Sequence, residues 1–152
     1  FDPQSLIKLR HYKISKVLHH MQGSPSTMQK NPKYQNVLLD IYDFFEKKLK
    51  EKNIYKHTII DPGIGFGKTL KHNLTLISKI SLFHSLGLPI LIGTSRKRFI
   101  SQISERYDSN DRTGGTIASI LYSLLQGVQI FRVHNVRETK QAILVFKKIL
   151  KT

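Results

Sequence analysis

The residues best suited to chemistry lie in one stretch, His57-Thr58-Ile59-Ile60-Asp61-Pro62-Gly63-Ile64-Gly65-Phe66-Gly67-Lys68. A β-branched run ends in a carboxylate. Proline, which has no N–H to donate, stops the ladder directly after it. Glycines at alternate positions then allow backbone to approach a ligand closely. The expected arrangement is a strand that carries Asp61 to its tip, followed by a tight loop able to wrap a ligand. Two phosphate-binding templates fail. A P-loop needs a glycine where Pro62 stands, and the dinucleotide fingerprint needs one where Lys68 stands. A plain glycine-rich turn is the alternative reading.

Other apolar runs also end in polar side chains, and every second residue of a strand shares a face. In Ile130-Phe131-Arg132-Val133-His134, residues Ile130, Arg132 and His134 share one. An arginine there is costly to bury without an anion or a partner. The helix that begins beyond it can add its N-terminal amides to an anion site. Pairing of Arg132 with a carboxylate of the same protein is the alternative. Within residues 89–98, Leu91, Gly93, Ser95 and Lys97 share a parity. Gly93 leaves room for a flat ligand, Ser95 offers a hydroxyl and Lys97 a cation. A solvated basic loop is the alternative for residues 95–98. Val17, His19 and Met21 share a parity, so the adjacent His19 and His20 face opposite sides and are not expected to hold zinc.

The chain has 152 residues, enough for one domain with a real core, and its 39% hydrophobic content is that of a globular protein. No apolar run is long enough to cross a membrane. Cysteine is absent, which excludes disulfides and permits a reducing compartment. The first residue is Phe1, which reads as a processed chain or a piece of something larger. A net charge of +15, from 25 Lys and Arg against 10 Asp and Glu, points to an anionic partner. The lysines are spread, however, and Glu46-Lys47-Lys48-Leu49-Lys50-Glu51-Lys52 reads as a solvated helix face. Aromatic residues do not alternate with basic ones as in a stacking platform. Nucleic-acid binding is thus an alternative supported by charge alone.

Positioning these residues requires a series of elements. Residues 1–12 fit the end of a helix. Residues 15–21 are the first strand candidate, and Gly, Pro and Ser make residues 22–28 a loop. Asn31-Pro32 is expected to open a helix as N-cap and first helical residue, with Val37, Ile41, Phe44, Phe45 and Leu49 on one face. After the Asp61 strand, a helix from about residue 71 turns Leu76, Ile77, Ile80 and Phe83 inward and stops at Gly87. The nearly continuous apolar run 89–94 is a strand buried on both faces. Residues 101–110 read as loop or frayed helix. Asp111 is expected to cap a helix carrying Ile117, Ile120, Leu121 and Leu124, thinned by Gly114, Gly115, Ala118 and Ser119 and closed by Gly127. After the strand 128–134, a last helix over about residues 138–150 is expected to bury Ala142, Ile143, Phe146 and Ile149. Strands alternating with helices argue a parallel sheet of right-handed βαβ units. An open doubly wound sheet and half of a (β/α)8 barrel both fit, since active sites sit at the C-terminal strand edge in either.

Several motifs together resemble dihydropteroate synthase. Leu18-His19-His20-Met21-Gln22-Gly23-Ser24-Pro25-Ser26-Thr27-Met28-Gln29 is similar to its LMHMxGxPxTMQ segment, and Asn31-Pro32-Lys33-Tyr34 to the helix start that follows. Residues 61–68 are similar to its DPGxGFGK loop, Gly93-Thr94-Ser95-Arg96-Lys97 to its GxSRK strand end, and Arg132-Val133-His134-Asn135-Val136 to its RVHDV segment. The resemblance implies an α/β TIM barrel, of which residues 1–152 form the C-terminal half with four βα units, the fifth to eighth strands. It implies condensation of p-aminobenzoate with 6-hydroxymethyl-7,8-dihydropterin pyrophosphate, releasing magnesium pyrophosphate, in cytoplasmic folate biosynthesis. By resemblance Asp61, Gly93, Lys97 and His19 bind the pterin. Ser95, Phe66 and Arg96 hold the p-aminobenzoate, and Arg132 and His134 the pyrophosphate. Lys97, Arg132 and His134 are the catalytic candidates, acting by positioning and charge stabilisation. Magnesium is expected to take its ligands from the pyrophosphate and the N-terminal half. His19 replaces a methionine of the motif and Asn135 an aspartate. The expected partners are the two substrates and either a second copy or the N-terminal half, with no nucleic acid and no membrane. A non-catalytic remnant that binds a ligand or partner is the rival reading.

Overall fold

The computed structural model describes residues 14–52 and 56–152. The helix end expected in residues 1–12 lies outside them. The apolar runs form β1 (Lys16–His19), β2 (Thr58–Asp61), β3 (Leu91–Ile92) and β4 (Ile130–Phe131). β1 pairs in parallel with β2, His19 opposite Asp61, and β3 pairs in parallel with β4, Ile92 opposite Phe131. A parallel bridge between Ile60 and Ile90 joins the two pairs. The strands therefore lie side by side in chain order. A doubly wound sheet reverses its order at a switch point, and no reversal occurs here. The ladders run slightly beyond the strands: His20 N–H donates to Asp61 O at 2.9 Å and Arg132 N–H to Ile92 O at 3.0 Å. These bonds fix the backbone at the C-terminal edge, where the polar residues stand.

α1 (Val37–Lys52) follows β1. It buries Val37, Ile41, Phe45 and Leu49, spaced at four residues, and leaves Phe44 half-buried. Its start differs from the expectation. Asn31 adopts a left-handed φ of 57° and residues 32–36 are not helical. Gln22 holds the backbone of Lys33 from both sides, its Nε2 donating to the carbonyl at 2.6 Å and its Oε1 accepting from the N–H at 3.0 Å. The cap is Asn36, whose Oδ1 accepts from the N–H groups of Leu38 and Leu39 at 3.1 and 3.3 Å.

α2 (Leu70–Ser78) begins with a reciprocal cap between Thr69 and His72, then tightens into a 3-10 segment, Ile80–Leu86, that ends at Gly87 with φ 70°. α3 (Arg98–Ser104) turns the first part of the expected loop into a regular helix. Asp111 does not cap α4 (Thr113–Leu125); it lies in a 3-10 turn, Asn110–Arg112, and Arg112 precedes the helix without a side-chain cap. The buried stripe of α4 is Thr116, Ile120 and Ser123, one position off the expected face. Of the small residues, Gly115 sits against Ile100, and Ser119 donates to Thr94 Oγ1 at 2.9 Å, tying the helix to the sheet. α5 (Val136–Ile149) buries only Thr139. Ala142, Ile143 and Phe146 are half-buried, and Ile149, expected inside, is 64% exposed.

The core lies between the sheet and the first helices, with Phe45, Ile60, Phe83 and Ile90 fully enclosed. α1 packs on α2, α2 on α4 and α4 on α5. Among the described residues no helix is long and apolar enough to cross a membrane.

Two glycines with the same φ separate backbone strain from crowding. A Cβ on Gly63 would lie 1.9 Å from the His20 carbonyl oxygen, whereas one on Gly87 would meet nothing within 4 Å. Gly87→Ala should cost about 1 kcal/mol, the left-handed penalty alone. Gly63→Ala should cost at least about 3 kcal/mol, because backbone must move. Urea unfolding of the two variants checks the difference.

Candidate functional site

The loop after β2 is built by converging side chains. Asp61, 1% exposed, accepts through Oδ1 from Gly63 N–H at 2.9 Å. Gly65 N–H donates to Asn73 Oδ1 at 2.7 Å. The next three carbonyls each receive a side-chain donor. Gln29 reaches Gly65 O, Lys68 Nζ reaches Phe66 O at 2.9 Å, and the Tyr34 hydroxyl reaches Gly67 O at 2.8 Å. A loop so satisfied is rigid before any ligand arrives.

Asp61 Oδ2 accepts from Arg132 Nη2 at 3.1 Å. The carboxylate is thus paired with an arginine from the far strand, as the alternative reading of Arg132 required. Gly93 lies beneath this pair, where a Cβ would come 3.0 Å from Arg132 Nη2. The room left by Gly93 is taken by the guanidinium. Phe66 presents its ring to His19 edge-on, with centroids 4.6 Å apart and planes at 87°, and Lys97 Nζ sits 4.0 Å from the Phe66 centroid. Ser95 Oγ lies 2.9 Å from His134 Nδ1 and accepts from His134 N–H at 3.2 Å.

His19, Phe66, Gly93, Ser95, Lys97, Arg132 and His134 line one cleft of about 570 Å³. Asp61 lies buried next to it, joined to it through Arg132. Arg96 is not among the lining residues. With a left-handed φ of 58° it turns to Asn135, donating to Oδ1 through Nε at 3.3 Å and Nη2 at 3.0 Å. The strand ends at Ile92, so Arg96 lies in a turn closed by Lys97 N–H to Thr94 O at 3.2 Å, and its left-handed backbone turns the side chain away from the cleft.

The sequence did not single out Lys68, His20 or Asn73 as site residues. Lys68 is 4% exposed, and its Nζ lies 3.1 Å from His20 Nδ1. Burial lowers the Lys68 pKa to about 7, against a partial offset from Asp61. Burial first, and Lys68 second, push His20 down to about 3, so His20 is neutral and Nδ1 accepts the ammonium proton. Lys97 is also lowered, by burial and then by Arg132, with Asp61 opposing. The sequence signal for Lys68 was its place directly after the last loop glycine. Among the described residues no group of three or more His, Cys, Asp or Glu could hold a metal ion.

The family of pterin binding enzymes matches residues 1–134 of the chain. Dihydropteroate synthase of Escherichia coli strain K12 is 39% identical over 137 residues, covering 88% of this chain and 48% of that protein. Crystal structures of dihydropteroate synthase from Thermus thermophilus superpose closely. The complex with 6HMPPP gives a TM-score of 0.92 at 32% identity, covering 98% of this chain and 61% of that one. The complex with 4-aminobenzoate gives 0.91 at 32% identity, covering 98% and 62%. The chain spans about half the length of the curated relatives it matches.

The buried Lys68–His20 contact predicts a pH dependence. His20 falls from 6.5 unfolded to about 3 folded, so between these values the unfolded chain binds the extra proton. Stability should drop as pH falls through that window. His20→Gln keeps an acceptor for Lys68 without titrating, and unfolding free energies at pH 7, 5 and 4 should show a shallower decline than in the wild type.

Proposed function

The chain belongs to the pterin-binding enzyme family, and on that premise we propose that it is the C-terminal half of a dihydropteroate synthase barrel, its four strands being the fifth to eighth. Strand order without reversal and sequential helix packing support the barrel reading. The proposed reaction condenses p-aminobenzoate with a dihydropterin pyrophosphate. The aryl amine attacks the methylene carbon, a C–N bond forms, the C–O bond to pyrophosphate breaks, and the amine loses a proton.

The observation that carries this reading is the buried carboxylate of Asp61, paired with the half-exposed Arg132 beside a cleft walled by Phe66 and Lys97. A carboxylate that accepts two parallel bonds suits the adjacent amino and ring N–H donors of a pterin. The incoming pyrophosphate draws Arg132 toward itself and His134, which frees Asp61 Oδ2 for the pterin. Lys97 then supplies a cation for the pterin carbonyl. Ser95, Phe66 and Arg96 are proposed for p-aminobenzoate, with Arg96 reaching it only by leaving Asn135. Binding and orientation do the work, and the cations stabilise the departing charge.

The family resemblance implies magnesium with the pyrophosphate. The described residues do not fit one: they gather no ligand cluster, and both Asp61 oxygens are engaged. No step is therefore routed through a metal here.

The N-terminal half, or a second copy, is the proposed partner. The 152 residues leave Val17 on β1 and Leu144, Val145 and Ile149 on α5 largely exposed. Alone they should show no turnover and should self-associate in sedimentation. Added in trans, the N-terminal half should restore a condensation that a sulfonamide blocks; no recovery would favour a non-catalytic remnant. In the complete protein, Asp61→Asn sets donor against donor and should cost about 3 kcal/mol or more in pterin affinity with the fold retained. Calorimetry showing unchanged pterin affinity would remove Asp61 from the site.

A further inference from the structure

Among the described residues Lys68 is the only buried lysine, and it makes no ion pair there. Its Nζ is held by two neutral acceptors, Phe66 O at 2.9 Å and His20 Nδ1 at 3.1 Å. Desolvating an ammonium for such partners is costly, and an apolar side chain of similar length would fill the same space at less cost. The ammonium is therefore kept for what it holds.

What it holds is Phe66. That residue stands between Gly65 and Gly67, both in left-handed backbone at φ 82° and 63°. Glycines on either side impose little conformational preference, so Phe66 depends on its contacts for its place. Its N–H donates to Gly63 O at 3.0 Å, inside the same loop. Its carbonyl accepts from Lys68, and Lys68 is anchored outside the loop. The His20 ring packs edge-on against Phe44 of α1, with centroids 4.9 Å apart, and the His20 N–H donates to Asp61 O. The clamp thus runs from α1 and the tip of β1 to the backbone of the residue whose ring walls the cleft. Lys68 is not among the residues that line this cleft.

We propose that Lys68 is a positioning residue: it fixes the Phe66 ring where the aromatic amine stacks, and so governs binding of that substrate without touching it. The inference rests on the reading of Phe66 as part of the p-aminobenzoate site and adds the group that holds Phe66 in place. In that reading the dihydropterin is held by Asp61, whose bonds to Gly63 and Arg132 do not pass through Lys68. The two substrates therefore respond differently to loss of the clamp. The bond to the carbonyl is strongest from the ammonium. Facing it are His19 and His20 from β1, Tyr34 from the segment before α1, Asp61 from β2, His72 from α2 and Lys97 from the turn before α3. Burial lowers the Lys68 pKa to about 7, so the ammonium is lost as pH rises through neutrality.

The test is steady-state condensation by the complete protein. Lys68→Met keeps the length and removes the donor. It should raise KM for p-aminobenzoate about tenfold and leave KM for the dihydropterin pyrophosphate within about twofold. In a Phe66→Leu background the same change should add nothing, since the ring through which Lys68 acts is gone. An unchanged p-aminobenzoate KM in Lys68→Met overturns the inference and leaves the proposed function standing. A rise that persists in full on Phe66→Leu also overturns it, as does an equal rise for both substrates, which marks a general structural role. Should Lys68→Met fail to fold, the wild type decides between pH 6 and 8. Its KM for p-aminobenzoate rises along the titration of the 15N-labelled Lys68 Nζ if the clamp operates, and stays level or follows Lys97 if it does not. No condensation by the complete wild-type protein overturns the proposed function, and this inference with it.

Discussion

A carboxylate buried to 1% exposure at the end of a strand must be compensated, and much of this structure follows from how that is done. Asp61 receives Gly63 N–H on one oxygen and Arg132 on the other. The first bond fixes the turn of the glycine loop. The second spans the sheet and sets the side-chain direction at the end of the fourth strand. Gly93 is small because the guanidinium lies over it. Gly63 is small because β1 and its His19 and His20 pass against it. Two glycines just beyond different strands thus answer to the same buried charge and the elements packed around it.

The loop illustrates preorganisation by saturation. Its carbonyls at Gly65, Phe66 and Gly67 are held by Gln29, Lys68 and Tyr34, which come from either side of it in the chain. Phe66 is consequently fixed at its backbone as well as by His19 and Lys97 at its ring. The cost is the burial of Lys68, whose ammonium is desolvated and needs the neutral His20 as acceptor. Rigid presentation of an aromatic wall is what a site that works by orientation requires.

Much of this was legible in the sequence, for physical reasons. Ser95, Lys97, Arg132 and His134 do line one cleft, but from the turns beyond β3 and β4, where strand parity no longer applies and Val133 lines it too. The resemblance assigned Arg96 to the site, and the turn beyond β3 directs it to Asn135 instead. What was not legible depends on contacts distant in sequence. Asn31-Pro32 and Asn36 are both adequate helix starts locally, and Gln22 decides between them by holding Lys33. A lysine after a glycine reads as solvated until His20, on the opposite face of β1, is known to lie against it. Of the residues expected inside on α5, Ala142, Ile143 and Phe146 are only half-buried and Ile149 is exposed, so helical periodicity found the inner face but not how little of it is covered.

The charge of +15 separates into two populations. On α1, Lys47 and Lys50 meet Glu51 and Glu46 at 3.8 and 2.9 Å, all on the surface. Such pairs contribute tenths of a kcal/mol, and salt screens them over about 8–10 Å. Around Asp61 the balance is different: Lys68, Lys97 and Arg132 face one carboxylate in a partly desolvated space. One anion cannot neutralise three cations, and low dielectric strengthens what remains. The positive excess around Asp61 is thus local and partly desolvated, whereas the basic surface adds only a diffuse field that salt screens.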